Sequence, residues 1–105
     1  MEKESLKRIK GMLGFARRAG KTVIGFDLAA RSLSRGEARL VAVAADASDA
    51  TKKRVRTKCE FYDTEHIVIE ISAEELGSLL GKSGAVAVVA VTDKGFADEI
   101  SKCVG

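Results

Sequence analysis

The stretch most suggestive of chemistry is Gly20-Lys21-Thr22, the tripeptide that closes a phosphate-binding loop. Such a loop needs four residues between its leading glycine and the tripeptide, and it joins a strand to a helix. Here Gly14 and Gly20 enclose five residues, and the run before Gly20 is helical in pattern, so nucleotide binding fails on both counts. His66 is the single histidine and opens a strand-like run, while Cys59 and Cys103 sit on apolar helical stripes far apart in the chain. A strand-edge imidazole and two core thiols do not make a nucleophile–base pair. Asp46 and Asp93 end apolar runs, a common place for acids in α/β enzymes, but each precedes a helix start and reads as a cap. No histidine, cysteine and carboxylate cluster has metal-ligand spacing. The expectation is a protein with no catalytic residues, no metal and no cofactor.

Binding chemistry is better represented. Asp27, Arg31 and Ser34 fall at i, i+4 and i+7, one polar stripe of a helix whose other side carries Leu28, Ala29, Ser32 and Leu33. Lys21 and Gly25 precede that stripe. A glycine there permits close backbone approach where free helix N–H groups favour a phosphate, and an arginine can bond phosphate or a guanine edge. A solvated helix face beside a turn glycine would show the same spacing. Lys52, Lys53, Arg54, Arg56 and Lys58 put five cations within seven positions. They cannot share one narrow face, so some solvate the helix and others suit an auxiliary phosphate-contacting patch. Gly81-Lys82-Ser83-Gly84-Ala85-Val86 serves either as a flexible connector or as a small apolar tip offered to an extruded base.

The elements that must position these groups follow from hydropathy. Leu6, Ile9, Leu13 and Ala16 recur at three and four, giving a first helix that ends near Gly20. Thr22 to Ile24 is a short β-branched run, and Gly25 leads into a helix from Phe26 to Arg35 that Gly36 stops. Residues 39–45 hold a wholly apolar run, as in a strand covered on both faces. Ser48 or Asp49 caps a third helix to about Phe61, with Val55, Cys59 and Tyr62 inward. His66 to Ile71 reads as a strand, and Ser72-Ala73-Glu74-Glu75 as a capping box for a short helix through Leu76, Leu79 and Leu80. Val86 to Val91 is a second apolar strand, after which Asp93 caps a last helix with Phe96, Ile100 and Cys103 inward.

From residue 39 the alternation of strand and helix has the rhythm of parallel crossovers. The expected fold is α/β: a three-layer α/β/α sandwich around a small, mixed, mostly parallel four-stranded sheet. With 105 residues, 46% hydrophobic and 31% charged, no proline and no linker-like segment, residues 1–105 read as one globular domain. No run approaches the ~18 apolar residues of a membrane span, and free cysteines suit a reducing, cytoplasmic setting. The net charge of +3 conceals a division: 15 Lys+Arg against 6 Asp+Glu over residues 1–58, a net +9, then 3 against 9 over 59–105, a net −6. One domain divided in this way is expected to carry a basic face for a polyanion.

Taken in order, several segments together resemble one family. They are Gly11 to Lys21, Gly25 through Arg31 closing at Arg35-Gly36, Ala38-Arg39-Leu40-Val41 into Ala44-Ala45-Asp46-Ala47-Ser48, Thr51-Lys52-Lys53, Lys58-Cys59, Glu75-Leu76-Gly77, Gly81-Lys82 and Val88 to Asp93. The chain is similar over nearly its whole length to the ribosomal L7Ae/L30e superfamily of kink-turn RNA-binding proteins, and most to its small bacterial YlxQ-like members. The resemblance implies an α/β/α sandwich that binds kink-turns, bent RNA internal loops built on tandem sheared G·A pairs. It implies a recognition helix in the widened groove and a loop before the last strand that grips a bulged nucleotide. The family's recognition helix reads Gly-x-Asn-Glu-x-x-Lys; Gly25, Asp27, Leu28 and Arg31 occupy those positions here. The expected site is therefore Lys21, Gly25, Asp27, Leu28, Arg31 and Lys82, with Val86 near the bulged base. Expected partners are ribosomal or other kink-turn RNA, with ribosomal proteins as neighbours and the chain itself monomeric. A protein-interaction module on the same fold is the alternative.

Overall fold

The computed structural model describes residues 1–104. The order of elements is α1 (Lys3–Arg18), β1 (Thr22–Ile24), α2 (Phe26–Ser34), β2 (Leu40–Ala44), α3 (Asp49–Phe61), β3 (Glu65–Ile69), α4 (Ala73–Leu79), β4 (Val88–Val91) and α5 (Lys94–Val104). The four strands form one sheet in the order β1-β4-β2-β3.

Alternation along the two central strands builds two cores. Leu40, Ala42 and Ala44 of β2 with Val89 and Val91 of β4 face Ile9, Leu13 and Ala16 of α1, Leu76 and Leu80 near α4, and Ala97 and Ile100 of α5. Val41 and Val43 with Val88 and Ala90 face Ala29 and Leu33 of α2 and Val55 and Cys59 of α3. The continuous apolar runs thus serve a sheet covered on both sides, and the α/β/α sandwich is the observed architecture. No described helix is long and apolar enough to cross a membrane.

One expectation about the sheet needs correcting. β2 and β3 pair in parallel, but β4 runs antiparallel to both β2 and β1. Three strands point one way, yet only one of the three pairings is parallel. The connection from β3 through α4 to β4 is therefore not a parallel crossover. An apolar run reads the same in either direction, so hydropathy carries no sign of the reversal. β4 also starts two residues later than expected, because the Val86 N–H donates to the Ala73 carbonyl rather than to a neighbouring strand.

The caps are local and mostly as the sequence suggests. Ser48 accepts from the Thr51 N–H and Ser72 from the Glu75 N–H. The return half of the box is not made; the Glu75 carboxylate instead pairs with Lys10 on α1. Asp93 accepts from the Phe96 N–H at the start of α5. Asp46 caps too, but at a distance: it accepts from the Ala73 N–H at 2.7 Å and ties the end of β2 to α4 rather than to α3.

Candidate nucleic-acid interface

Gly25 joins β1 to α2 with φ 99°, a conformation that strains any residue bearing a Cβ. Its N–H donates to the Val88 carbonyl at 2.8 Å, so the start of α2 is fastened to the first residue of β4. The 81–87 connection that feeds β4 thereby enters the sheet at the same end as the start of α2. On α2, Asp27, Leu28 and Arg31 are exposed while Ala29, Ser32 and Leu33 are buried. Leu28 departs from the expected inward face. It lies about 100° round the helix from Ala29 and is 47% exposed, an apolar side chain beside the polar stripe. Ser34 closes its own helix by donating to the Arg31 carbonyl, which leaves Asp27 and Arg31 as the free polar groups of the stripe.

The loop is held from three sides. The Lys82 N–H donates to the Gly77 carbonyl, the Val86 N–H to the Ala73 carbonyl, and Arg17 Nε on α1 to the Leu80 carbonyl at 2.6 Å. The Arg17 guanidinium lies over Gly81, where an added Cβ would meet it at 3.0 Å. Residues 81–85 are exposed. Val86 is 7% exposed and belongs to the core with α1 and α4, so it anchors the loop from beneath and its side chain is not offered at the surface. Of the residues expected at the site, Lys21 is set apart. Its carbonyl accepts from the Thr92 N–H, at the end of the β1–β4 pairing opposite Gly25, which is about 13 Å of strand away.

Arg17 is a contributor that pattern reading passes over. In the sequence it is one of several cations on the polar side of α1, and only its tertiary bond to Leu80 marks it out. Arg18, beside it, stacks on the half-exposed Phe15 ring, 4.7 Å from the centroid. The α3 cations also divide. Lys52 Nζ donates to the Ala45 carbonyl, Arg54 lies 4.0 Å from the centroid of the Phe26 ring, and Lys53, Arg56 and Lys58 are exposed.

The basic half of the sequence does not form a single face. α1 lies in the layer of α4 and α5, and all four ion pairs among the described residues are there or at the β3 end: Lys10–Glu75, Lys94–Asp98, Lys102–Glu99 and the Met1 ammonium with Glu70. No lysine or arginine of α2 or α3 has a carboxylate partner among the described residues. Of the positive groups of residues 1–58, only Lys10 and the Met1 ammonium meet a carboxylate among the described residues, and the cations of α2 and α3 are left open.

The residues considered for catalysis stay apart. Asp46 and Asp93 follow strands of opposite direction, at opposite ends of the sheet, each engaged by a helix N–H. Cys59 is fully buried, and burial pushes its thiol up to about 11. Among the described residues no group of three histidine, cysteine or carboxylate side chains could hold a metal.

The chain is similar to known proteins. The model of the ribosomal protein L7Ae/L30e/S12e/Gadd45 family matches residues 7–101. RNA-binding protein YlxQ of Bacillus subtilis (strain 168) is 43% identical over 89 residues, covering 85% of this chain and 87% of that protein. Large ribosomal subunit protein eL30 of Spodoptera frugiperda is 27% identical over 107 residues, covering 95% and 88%. The solved structure of a Giardia lamblia 15.5kD RNA binding protein matches with a TM-score of 0.83 at 21% identity, over 100% of this chain and 88% of that one. At that identity the likeness speaks for the fold.

Proposed function

We propose that this chain, which belongs to the ribosomal protein L7Ae/L30e/S12e/Gadd45 family, is a non-catalytic RNA-binding protein that takes structured, kink-turn-like RNA in association with the ribosome. The observation that carries the reading is the Gly25–Val88 hydrogen bond, which puts the start of the glycine-led helix and the loop's entry into β4 at the same end of the sheet. The names of the relatives, an RNA-binding YlxQ and a large-subunit eL30, support the class of partner and the ribosomal setting. A monomer in the cytoplasm, with no cofactor, goes with that reading.

The residues take distinct parts. Gly25 lets an RNA backbone approach the first turn of α2. Arg31 and Lys82 supply positive charge to phosphates or to a guanine edge. Asp27, as a carboxylate, only accepts, so it suits a base amino group and cannot donate to a guanine O6 as asparagine does. Leu28 offers a methyl surface to a base or sugar. Lys21 acts on backbone farther along, and Val86 acts through the loop it anchors. The exposed Leu28 is also the specific feature that favours a second reading, a protein-interaction module on the same fold.

The test is a mobility-shift titration with a kink-turn RNA and a counterpart whose sheared G·A pairs are replaced by Watson–Crick pairs. Tighter binding to the first, lost in R31E and K82E, is the expected result. Affinity unchanged in both variants would remove the site assignment. No binding to either RNA at low salt would leave the protein-interaction reading.

A further inference from the structure

We infer that the flank of α3 facing α2 is a second RNA contact, which holds the phosphodiester backbone of a strand leaving the α2 site. Phe26, Lys53, Arg54, Thr57 and Lys58 line a surface depression of ≈ 250 Å³ there. The inference rests on the RNA-binding reading and assigns that site its continuation.

Phe26 directly follows Gly25, so the depression begins where the recognition helix begins. Its floor is apolar, formed by the half-buried Phe26 ring and the aliphatic stems of the long side chains. Its rim is cationic, and no carboxylate lines it. Lys53, Arg54 and Lys58 make no ion pair and no side-chain hydrogen bond among the described residues. Arg54 and Lys58 stand one turn apart, about 6 Å along the axis, and like charges at that spacing repel in the absence of an anion. The guanidinium stacked on Phe26 keeps its planar set of donors available, an arrangement that suits phosphate oxygens and the face of an unstacked base. Charge, apolar platform and continuity with α2 together favour a nucleic-acid strand over an acidic peptide.

The five α3 cations therefore have separate duties. Lys52 is spent on the Ala45 carbonyl, and Arg56, on the side away from the depression, solvates the helix. Only Lys53, Arg54 and Lys58 belong to the second contact.

The experiment uses the full chain and two kink-turn RNAs, one trimmed to the kinked core and one with a stem strand extended beyond it. Lys53, Arg54 and Lys58 are changed together to Gln. Lys3, Lys7 and Arg8, exposed in the opposite layer, are changed together to Gln as an equal loss of charge. The α3 triple variant is expected to lose about 10-fold or more in affinity for the extended RNA and to flatten its log K against log salt slope by about 2, as three lost phosphate contacts require. The trimmed RNA should bind it almost as it binds the wild type. An unchanged slope and affinity in the α3 variant, or an equal loss in the α1 variant, overturns the second contact. Equal losses on both RNAs would place the contact inside the kink and overturn its assignment to a departing strand. If the wild type binds neither RNA, the RNA-binding reading itself falls, whereas an inert α3 variant beside a binding wild type removes this inference alone.

Discussion

Gly77 in α4 and Gly84 in the following loop pack backbone against backbone: a Cβ on Gly77 would stand 2.0 Å from the Gly84 carbonyl oxygen. Nothing flexible lies at that contact, so relief must come from moving the loop. Gly77→Ala is expected to lower stability by about 1–3 kcal/mol, the usual cost of overpacking, and to weaken RNA binding as well. Gly84→Ala should do far less to stability, since a Cβ there meets nothing within 4 Å. Urea unfolding with a parallel RNA titration reads both effects, and equal behaviour of the two variants would contradict the packing account.

Arg17 positions the same loop through the Leu80 carbonyl. Arg17→Ala should cost about 1–2 kcal/mol, as expected for a charge-assisted hydrogen bond that is partly solvated, and should speed amide exchange at residues 81–86. Arg17→Lys keeps the charge but not the fixed guanidinium fork. If Arg17 acts by holding the loop, both variants bind RNA less well. Wild-type affinity in Arg17→Lys would mean that its charge, not its bond, is what the RNA uses.

In the proposed site, Asp27 and Leu28 bear on discrimination rather than on attachment. Restoring an amide donor and a carboxylate with Asp27→Asn and Leu28→Glu adds the pairings that distinguish a guanine edge, each worth ~1–3 kcal/mol of discrimination in base readout. The double variant should therefore raise the ratio of affinities for sheared G·A over Watson–Crick RNA by about 10-fold or more. The ratio is measured by competition. Its salt slope should stay as in the wild type, because no phosphate contact changes.

Cys59 makes a prediction about alkaline stability. Burial raises the thiol from the ordinary 9.0 to about 11 in the folded protein, which therefore holds the proton more tightly than the unfolded chain. The resulting stabilisation is complete below about pH 9 and declines as pH rises from there toward 11, by roughly 1.4 kcal/mol per pH unit. Cys59→Ala removes this dependence along with the thiol. Subtracting its urea unfolding free energies from the wild-type values across that range isolates the slope. A pH-independent difference would mean that the thiol does not titrate in this way. The buried thiol should also resist alkylation in the folded state while Cys103, half-buried, reacts.

Much of the framework is legible in the chain. A glycine before an amphipathic run marks the start of α2, Ser48 and Ser72 mark α3 and α4, and the two apolar runs announce strands covered on both faces. What stays hidden depends on tertiary placement. The direction of β4 leaves no trace in hydropathy. Val86 is as apolar as an exposed tip would need to be, and only packing sends it inward. Arg17 differs from Arg18 in nothing but its neighbour. The charge division along the sequence is real, but α1 crosses to the acidic layer, so linear asymmetry and surface asymmetry are not the same quantity.

Among the described residues β1 has β4 as its sole strand neighbour, and the Gly25 amide finds its acceptor 63 residues later, at Val88. A chain synthesised from its N-terminus offers β1 no partner until β4 has emerged, and such long-range pairing is slow to form. Until then α2 hangs from an unpaired strand, and the two halves of the proposed RNA site have no common support. On the proposed reading, competence to bind is thus deferred until β4 has emerged, and a nascent chain that stops short of β4 should leave RNA alone.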